Sequence, residues 1–77
     1  MTKSQHQALG SEIDNVYLSS REIQCLRLYV RGKTAKNIAI IFGLSQRTVE
    51  HYLENIKRKL SVSSKNELIE KTTDYFL

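Results

Sequence analysis

The chain has no proline and no tryptophan, and its 77 residues include one cysteine and three glycines. A lone Cys25 excludes an intrachain disulfide, and nothing resembling a Cys/His cluster at metal-ligand spacing stands in for one. Cys25 lies among apolar residues, where a small buried thiol is expected rather than a reactive one. The opening MTKSQHQ lacks the apolar stretch of a signal peptide, and no run approaches the ~20 apolar residues that span a bilayer. A reducing cytoplasm, away from membranes, is the expected home. Catalytic chemistry is missing too: there is no paired nucleophile and base and no glycine-rich phosphate loop, and His6 and His51 stand in unrelated contexts. The chain is read as a non-enzyme with no cofactor.

What is present is small, basic and helical. Twelve Lys and Arg against eight Asp and Glu give +4, a balance that favours a polyanionic partner. A chain this short buries only about 60% of the surface its unfolded form exposes, so dimerisation is a natural source of extra stability. With no proline, the breaks between helices fall to Gly32 and Gly43.

Residues 1–17 are polar, contain Gly10 and keep no period, and so read as a tail or linker holding at most a helical turn. Order begins at Ser19-x-x-Glu22, the spacing of a capping box, with Leu18 before it as a hydrophobic staple. Helix one runs to about Arg31, with Cys25, Leu26, Tyr29 and Val30 on its apolar side and Gly32 as a left-handed terminator. Thr34 caps a short second helix ending at Phe42, whose Ile38, Ala39 and Phe42 share a face. Gly43 to Gln46 makes a tight connection, with Ser45 as the next N-cap.

The third helix, Gln46 to Leu60, carries Val49, Leu53, Ile56 and Leu60 on one stripe. Arg47, Glu50, His51, Glu54, Lys57 and Arg58 fall off it, a dense set of polar groups for one helix. A second Ser-x-x-Glu box, Ser64 to Glu67, opens helix four, expected to end near Thr73 with Leu68, Ile69 and Thr72 clustered. Two short helices joined by a tight glycine turn, the second with a polar outer face, make a helix-turn-helix over residues 35–54.

The segments LSSRE, GKTAKNIA, FGLSQRTVE and NIKRKL, in this order, resemble the LuxR-type (GerE-type) helix-turn-helix domain of bacterial transcription regulators. The resemblance covers about Leu18 to Thr73. It implies an all-α four-helix domain in residues 18–73, with 74–77 as its end, that binds double-stranded DNA as a dimer. The third helix would read the major groove and the fourth would dimerise. The chain departs from the family pattern at Tyr52, where histidine is common, at Glu50 for lysine, at Asn37 for glutamate, and at Ile40 and Ile41 for polar residues. The base preference is therefore the chain's own.

On this reading Gln46, Arg47, Glu50, His51 and Glu54 face base edges. Arg47 suits guanine, Glu50 and Glu54 suit the cytosine amino group, and His51 donates or accepts according to tautomer. Thr34, Lys36, Ser45, Thr48, Lys57 and Arg58 are the expected phosphate contacts. Lys59 and Glu22, both family-like positions, are expected to pair and pin helix three on helix one, with a further phosphate contact as the competing reading of Lys59. Leu68, Ile69 and Thr72 are assigned to a twofold dimer patch, which sets the reading helices ~34 Å apart and favours an inverted-repeat site; the alternative is that they only complete the monomer core. Ile40 and Ile41 do not both fit the narrow stripe of helix two, and an exposed one is a candidate contact for RNA polymerase or a fused domain. Two rivals stand beside this reading: a sigma factor's promoter-reading domain, and a helical module whose charged third helix docks a protein.

Overall fold

A computed structural model describes residues 11–13 and 16–76, and it opens with a feature the polar N-terminal composition hid. Strands β1 (Ser11–Ile13) and β2 (Val16–Leu18) pair antiparallel, with Ser11 opposite Leu18 and Ile13 opposite Val16. The apolar face Ile13, Val16 and Leu18 alternates with Tyr17, which is exposed, and the first and last of these are buried in the core. The strand residues 11–13, 16 and 17 thus pack as part of the domain, while the rest of the segment read as a tail, 1–10 with 14 and 15, lies outside the described residues. A three-residue period-two pattern is too short to stand out from polar surroundings, and only the core beneath it makes the pairing stable.

Four helices follow: α1 (Ser20–Val30), α2 (Ala35–Phe42), α3 (Gln46–Lys59) and α4 (Lys65–Phe76). Their starts are dictated by side chains. Ser19 Oγ accepts from Glu22 N at 3.2 Å while Glu22 Oε1 accepts from Ser19 N at 2.9 Å. Asn37 does the same for Thr34, so the shorter amide still closes the box. Ser45 Oγ accepts from Thr48 N at 3.0 Å. At α4 the expected box is shifted: Ser64 Oγ accepts from Glu67 N, but the Glu67 carboxylate reaches one residue further back, to the amide and hydroxyl of Ser63. Those bonds to the charged form hold the Glu67 pKa below the usual carboxylate value.

The helix ends share one device. After α1, Lys33 N donates to Leu28 O and Gly32 N to Tyr29 O; after α2, Leu44 N donates to Ala39 O and Gly43 N to Ile40 O. These are Schellman terminators around left-handed glycines. After α3 the same pair of bonds forms, from Val62 N to Lys57 O and Ser61 N to Arg58 O, but the left-handed residue is Ser61, with φ 58°. A serine there gives no warning in the sequence.

Three elements close on α1. Packing joins α3 to both α1 and α2, and α4 to α1. Ile23, Cys25 and Leu26 of α1 meet Ile38 and Ala39 of α2, Val49, Leu53 and Ile56 of α3, and Leu60 and Leu68 in one core. Burial pushes the Cys25 thiol pKa up, leaving an inert buried sulfhydryl. Arg21 lies 5.0 Å from the Phe42 ring centroid and Arg27 5.3 Å from that of Phe76, so cations cover the seams of α1 with α2 and α4. The Phe76 contact, with Tyr75 edge-on to it at 4.8 Å, carries α4 a turn beyond Thr73, where the sequence pattern stopped it.

Between α1 and α3 a single charged contact bridges the core edge. Lys59 Nζ donates to both Glu22 oxygens, at 2.9 and 3.2 Å, with the Glu22 side chain 6% exposed and that of Lys59 33%. Removing the lysine leaves a buried carboxylate without its cation. Lys59→Met should therefore lose about 2–4 kcal/mol in urea unfolding, the lower part of the range for broken buried pairs because water reaches Lys59. Glu22→Gln, which keeps an acceptor for Ser19 N, should lose less than Glu22→Ala. In the opposite direction, Ser61→Gly should relieve about 0.5–1 kcal/mol of left-handed strain and raise the melting midpoint by a few degrees.

Candidate functional site

The site is the outer side of α3. Val49, Leu53 and Ile56 turn one side of the helix fully into the core, which forces the residues between them outward. Gln46, Arg47, Glu50, His51 and Glu54 are all exposed, and the last four line one shallow hollow. All five side chains assigned to base contact thus share one face. Three are held in place: Gln46 Nε2 donates to Glu50 Oε2 at 3.0 Å, and Lys57 Nζ lies 3.6 Å from Glu54 Oε2.

The six residues assigned to phosphates are more scattered. Thr34 and Lys36 are exposed at the start of α2, and Ser45 and Thr48 at the start of α3. The hydroxyls of Thr34, Ser45 and Thr48 are engaged in capping; Ser45 Oγ and Thr48 Oγ1 share a hydrogen bond of 2.8 Å. Arg58 is exposed, with Nη2 anchored on Asn55 Oδ1 at 2.8 Å. Lys57 differs, since its side chain is only 20% exposed and turned toward Glu54. The last turn of α3 concentrates Lys57, Arg58 and Lys59, as its dipole favours.

A second hollow adjoins the first, between the end of α1, the start of α2 and the start of α4. Tyr29, Thr34, Ala35, Glu50, Leu53, Glu54, Lys57 and Lys65 line it. Lys65 Nζ lies 4.3 Å from the Tyr29 ring centroid, which fixes a cation at the rim of the α3 face. Neither Tyr29 nor Lys65 was singled out for this face in the sequence, because they reach it only through the packing of α4 on α1. Nothing local marks them.

The expected dimer patch requires correction. Leu68 and Thr72 are both 0% exposed within the single chain, and Thr72 Oγ1 donates back to Leu68 O at 2.8 Å. They complete the monomer core; only Ile69, half-buried, reaches the surface of α4. On α2, Ile40 and Ile41 are both exposed, at 70% and 54%, because the buried side of that short helix is filled by Ile38 and Ala39. Among the described residues no helix is long and apolar enough to cross a membrane.

Comparison with known proteins gives this arrangement a family. The model of "Bacterial regulatory proteins, luxR family" matches residues 16–72. The transcriptional activator protein AnoR of Acinetobacter nosocomialis is 45% identical over 51 residues, 66% of this chain and 21% of that protein. The transcriptional activator protein VanR of Vibrio anguillarum is 39% identical over 54 residues, 70% of this chain and 22% of that one. The chain thus spans about a fifth of the length of these relatives. Among solved structures, the Vibrio cholera VqmA-ligand-DNA complex superposes with a TM-score of 0.74 at 31% identity, covering 97% of this chain and 36% of that one.

The geometry separates stability from the exposed face. Single alanine substitutions at Arg47, His51 and Glu54 should each change unfolding free energy by less than about 0.5 kcal/mol, whereas Leu53→Ala on the same helix should cost about 2–5 kcal/mol. Parallel urea titrations measure both sets.

Proposed function

The chain belongs to the LuxR family of bacterial regulatory proteins, and from that premise we propose that it binds double-stranded DNA to regulate transcription, with α3 in the major groove. One observation carries the proposal: a helix whose inner side is locked in the core presents Gln46, Arg47, Glu50, His51 and Glu54 together on its outer side. Such a helix, docked by its N-terminal half, brings donors and acceptors to base edges. That the DNA complex of a 31% identical protein holds the same fold supports the reading.

Phosphates on either side of the groove are met by Lys36 at the start of α2 and by Arg58 at the end of α3, with the capped N-termini at Thr34 and at Ser45 and Thr48 offering backbone amides. Lys65 joins this set from α4. Lys57 acts chiefly on Glu54, lowering the repulsion between that carboxylate and the DNA. The chain acts as a homodimer through α4. With Leu68 and Thr72 internal and Phe76 packed on α1, the contact falls to Ile69 and Thr73, four apart on the outward side of the helix. A twofold pair places the reading helices about one DNA turn apart and calls for an inverted repeat. Ile40 and Ile41, exposed on α2, are the surface offered to RNA polymerase.

The test is a fluorescence-anisotropy titration on selected duplex DNA over a range of salt. Affinity should fall steeply as salt rises, and Arg58→Gln should reduce the slope of log K against log salt by about one without changing the selected consensus. Binding that ignores salt, or no binding at any salt, sinks the proposal in favour of a protein-docking module. Sedimentation of the DNA complex should give two chains per inverted repeat; one chain per duplex removes the dimer.

A further inference from the structure

We propose that α3 carries two adjacent rows of opposite hydrogen-bonding sense that read G·C pairs of a single polarity, and that the cytosine amino group is obligatory, so methylation at cytosine N4 blocks recognition. The inference rests on the DNA-reading role of α3 and goes beyond it to the chemistry of the site that is read.

Residues four apart on a helix lie one above another, so Gln46, Glu50 and Glu54 form one row. Arg47 and His51, each one position on, form the next, rotated by about 100°. The first row accepts. That sense rests on Glu50 and Glu54, whose carboxylates have no donor; one Gln46 amide hydrogen is engaged by Glu50 Oε2 at 3.0 Å, and Gln46 keeps the other beside its carbonyl oxygen. Glu54 is steadied at its other end by Lys57, 3.6 Å away. Each carboxylate keeps its Oε1 without a hydrogen-bond or ion-pair partner among the described residues. The second row donates, because Arg47 has only donors and His51 has at least one.

Across the major groove a G·C pair shows two acceptors, N7 and O6, on guanine and one donor, the N4 amino group, on cytosine. A donor row on guanine beside an acceptor row on cytosine matches that order edge to edge. An A·T pair ends instead in the thymine O4 acceptor and its methyl group, which a carboxylate meets with repulsion. Reversing a G·C pair sets Glu50 or Glu54 against guanine O6 and N7, acceptor against acceptor. The rows therefore fix polarity as well as identity. Glu50 and Glu54 have Cβ atoms roughly 6 Å apart. With base pairs about 3.4 Å apart along the axis, the two cytosines fall on one strand, one or two steps apart.

Of the two amino hydrogens of cytosine, one lies in the base pair and the other points into the groove. A methyl group at N4 replaces the second while pairing persists, removing the donor the carboxylate needs and filling its place. The measurement uses the 77-residue chain and the duplexes it selects from random DNA. Each half-site should hold two G·C pairs of the same polarity, and N4-methylcytosine at these two positions should weaken anisotropy-measured binding about tenfold or more. The same modification at a cytosine outside the half-sites should have an effect under about threefold. In the Glu50→Ala, Glu54→Ala double variant, folded by circular dichroism, the modified and unmodified half-sites should bind alike. Parent protein that tolerates the half-site methyl groups, a consensus without paired cytosines, or a double variant that keeps the full penalty overturns the inference. If binding in those cases is tight and salt-dependent, the DNA-reading role survives without it. If no sequence is enriched, both fall.

Discussion

Glu22 is held almost entirely out of water, and its carboxylate answers to two elements at once. It closes the capping box that starts α1, and it accepts both hydrogen bonds from Lys59 at the end of α3. A buried carboxylate is stable only when its charge and lone pairs are met, so α1 and α3 cannot slide or separate without exposing an uncompensated ion. Apolar packing of Leu26 against Ile56 and Leu60 is nondirectional and tolerates small rotations; the ion pair does not. Together with the buried stripe of Val49, Leu53 and Ile56 it sets which way α3 faces, and with that the direction in which the polar residues of its outer side point.

Because orientation is set from behind, the outer side is free of structural duty. Glu50 and Glu54 would repel each other and a phosphate polymer, a poor choice on a face that had to stabilise the domain. Gln46 and Lys57 temper that repulsion from within the same helix. The outcome is a face whose cost is met when matching donors arrive opposite it, which favours selectivity over general affinity. Basic residues stand at its edges, Lys36, Arg58 and Lys65 among them, where a polyanion would be held whatever its sequence.

Helix starts were legible because the signals are local. Ser19 and Glu22, Thr34, Ser45, and Ser64 each state a cap within three residues of their own position, and the apolar stripe of α3 follows from spacing alone. The exposed polar face of α3 followed as its complement. Less legible were the features that depend on a partner far away in the chain. Ser61 adopts a left-handed conformation because Val62 and Leu60 must both turn toward the core, not because serine prefers it. Leu68 and Thr72 suited a self-association patch as well as a core, since apolar spacing names a buried side without naming what covers it. Lys65 and Tyr29 meet at the rim of the α3 face only once α4 packs on α1.

Sequence by itself determined the four helices, the residues that cap their N-termini, the family and the identity of the polar side chains along α3. It also named the partners Glu22 and Lys59, through the positions they share with that family. Tertiary structure alone decided that strands β1 and β2 join the domain, that α4 gives its apolar side to the monomer, and that Lys57 turns inward to Glu54 while Arg58 stays out. The division has a physical cause. Caps and periodicity are contacts between residues three or four apart, whereas burial is settled by which distant surfaces exclude water from one another.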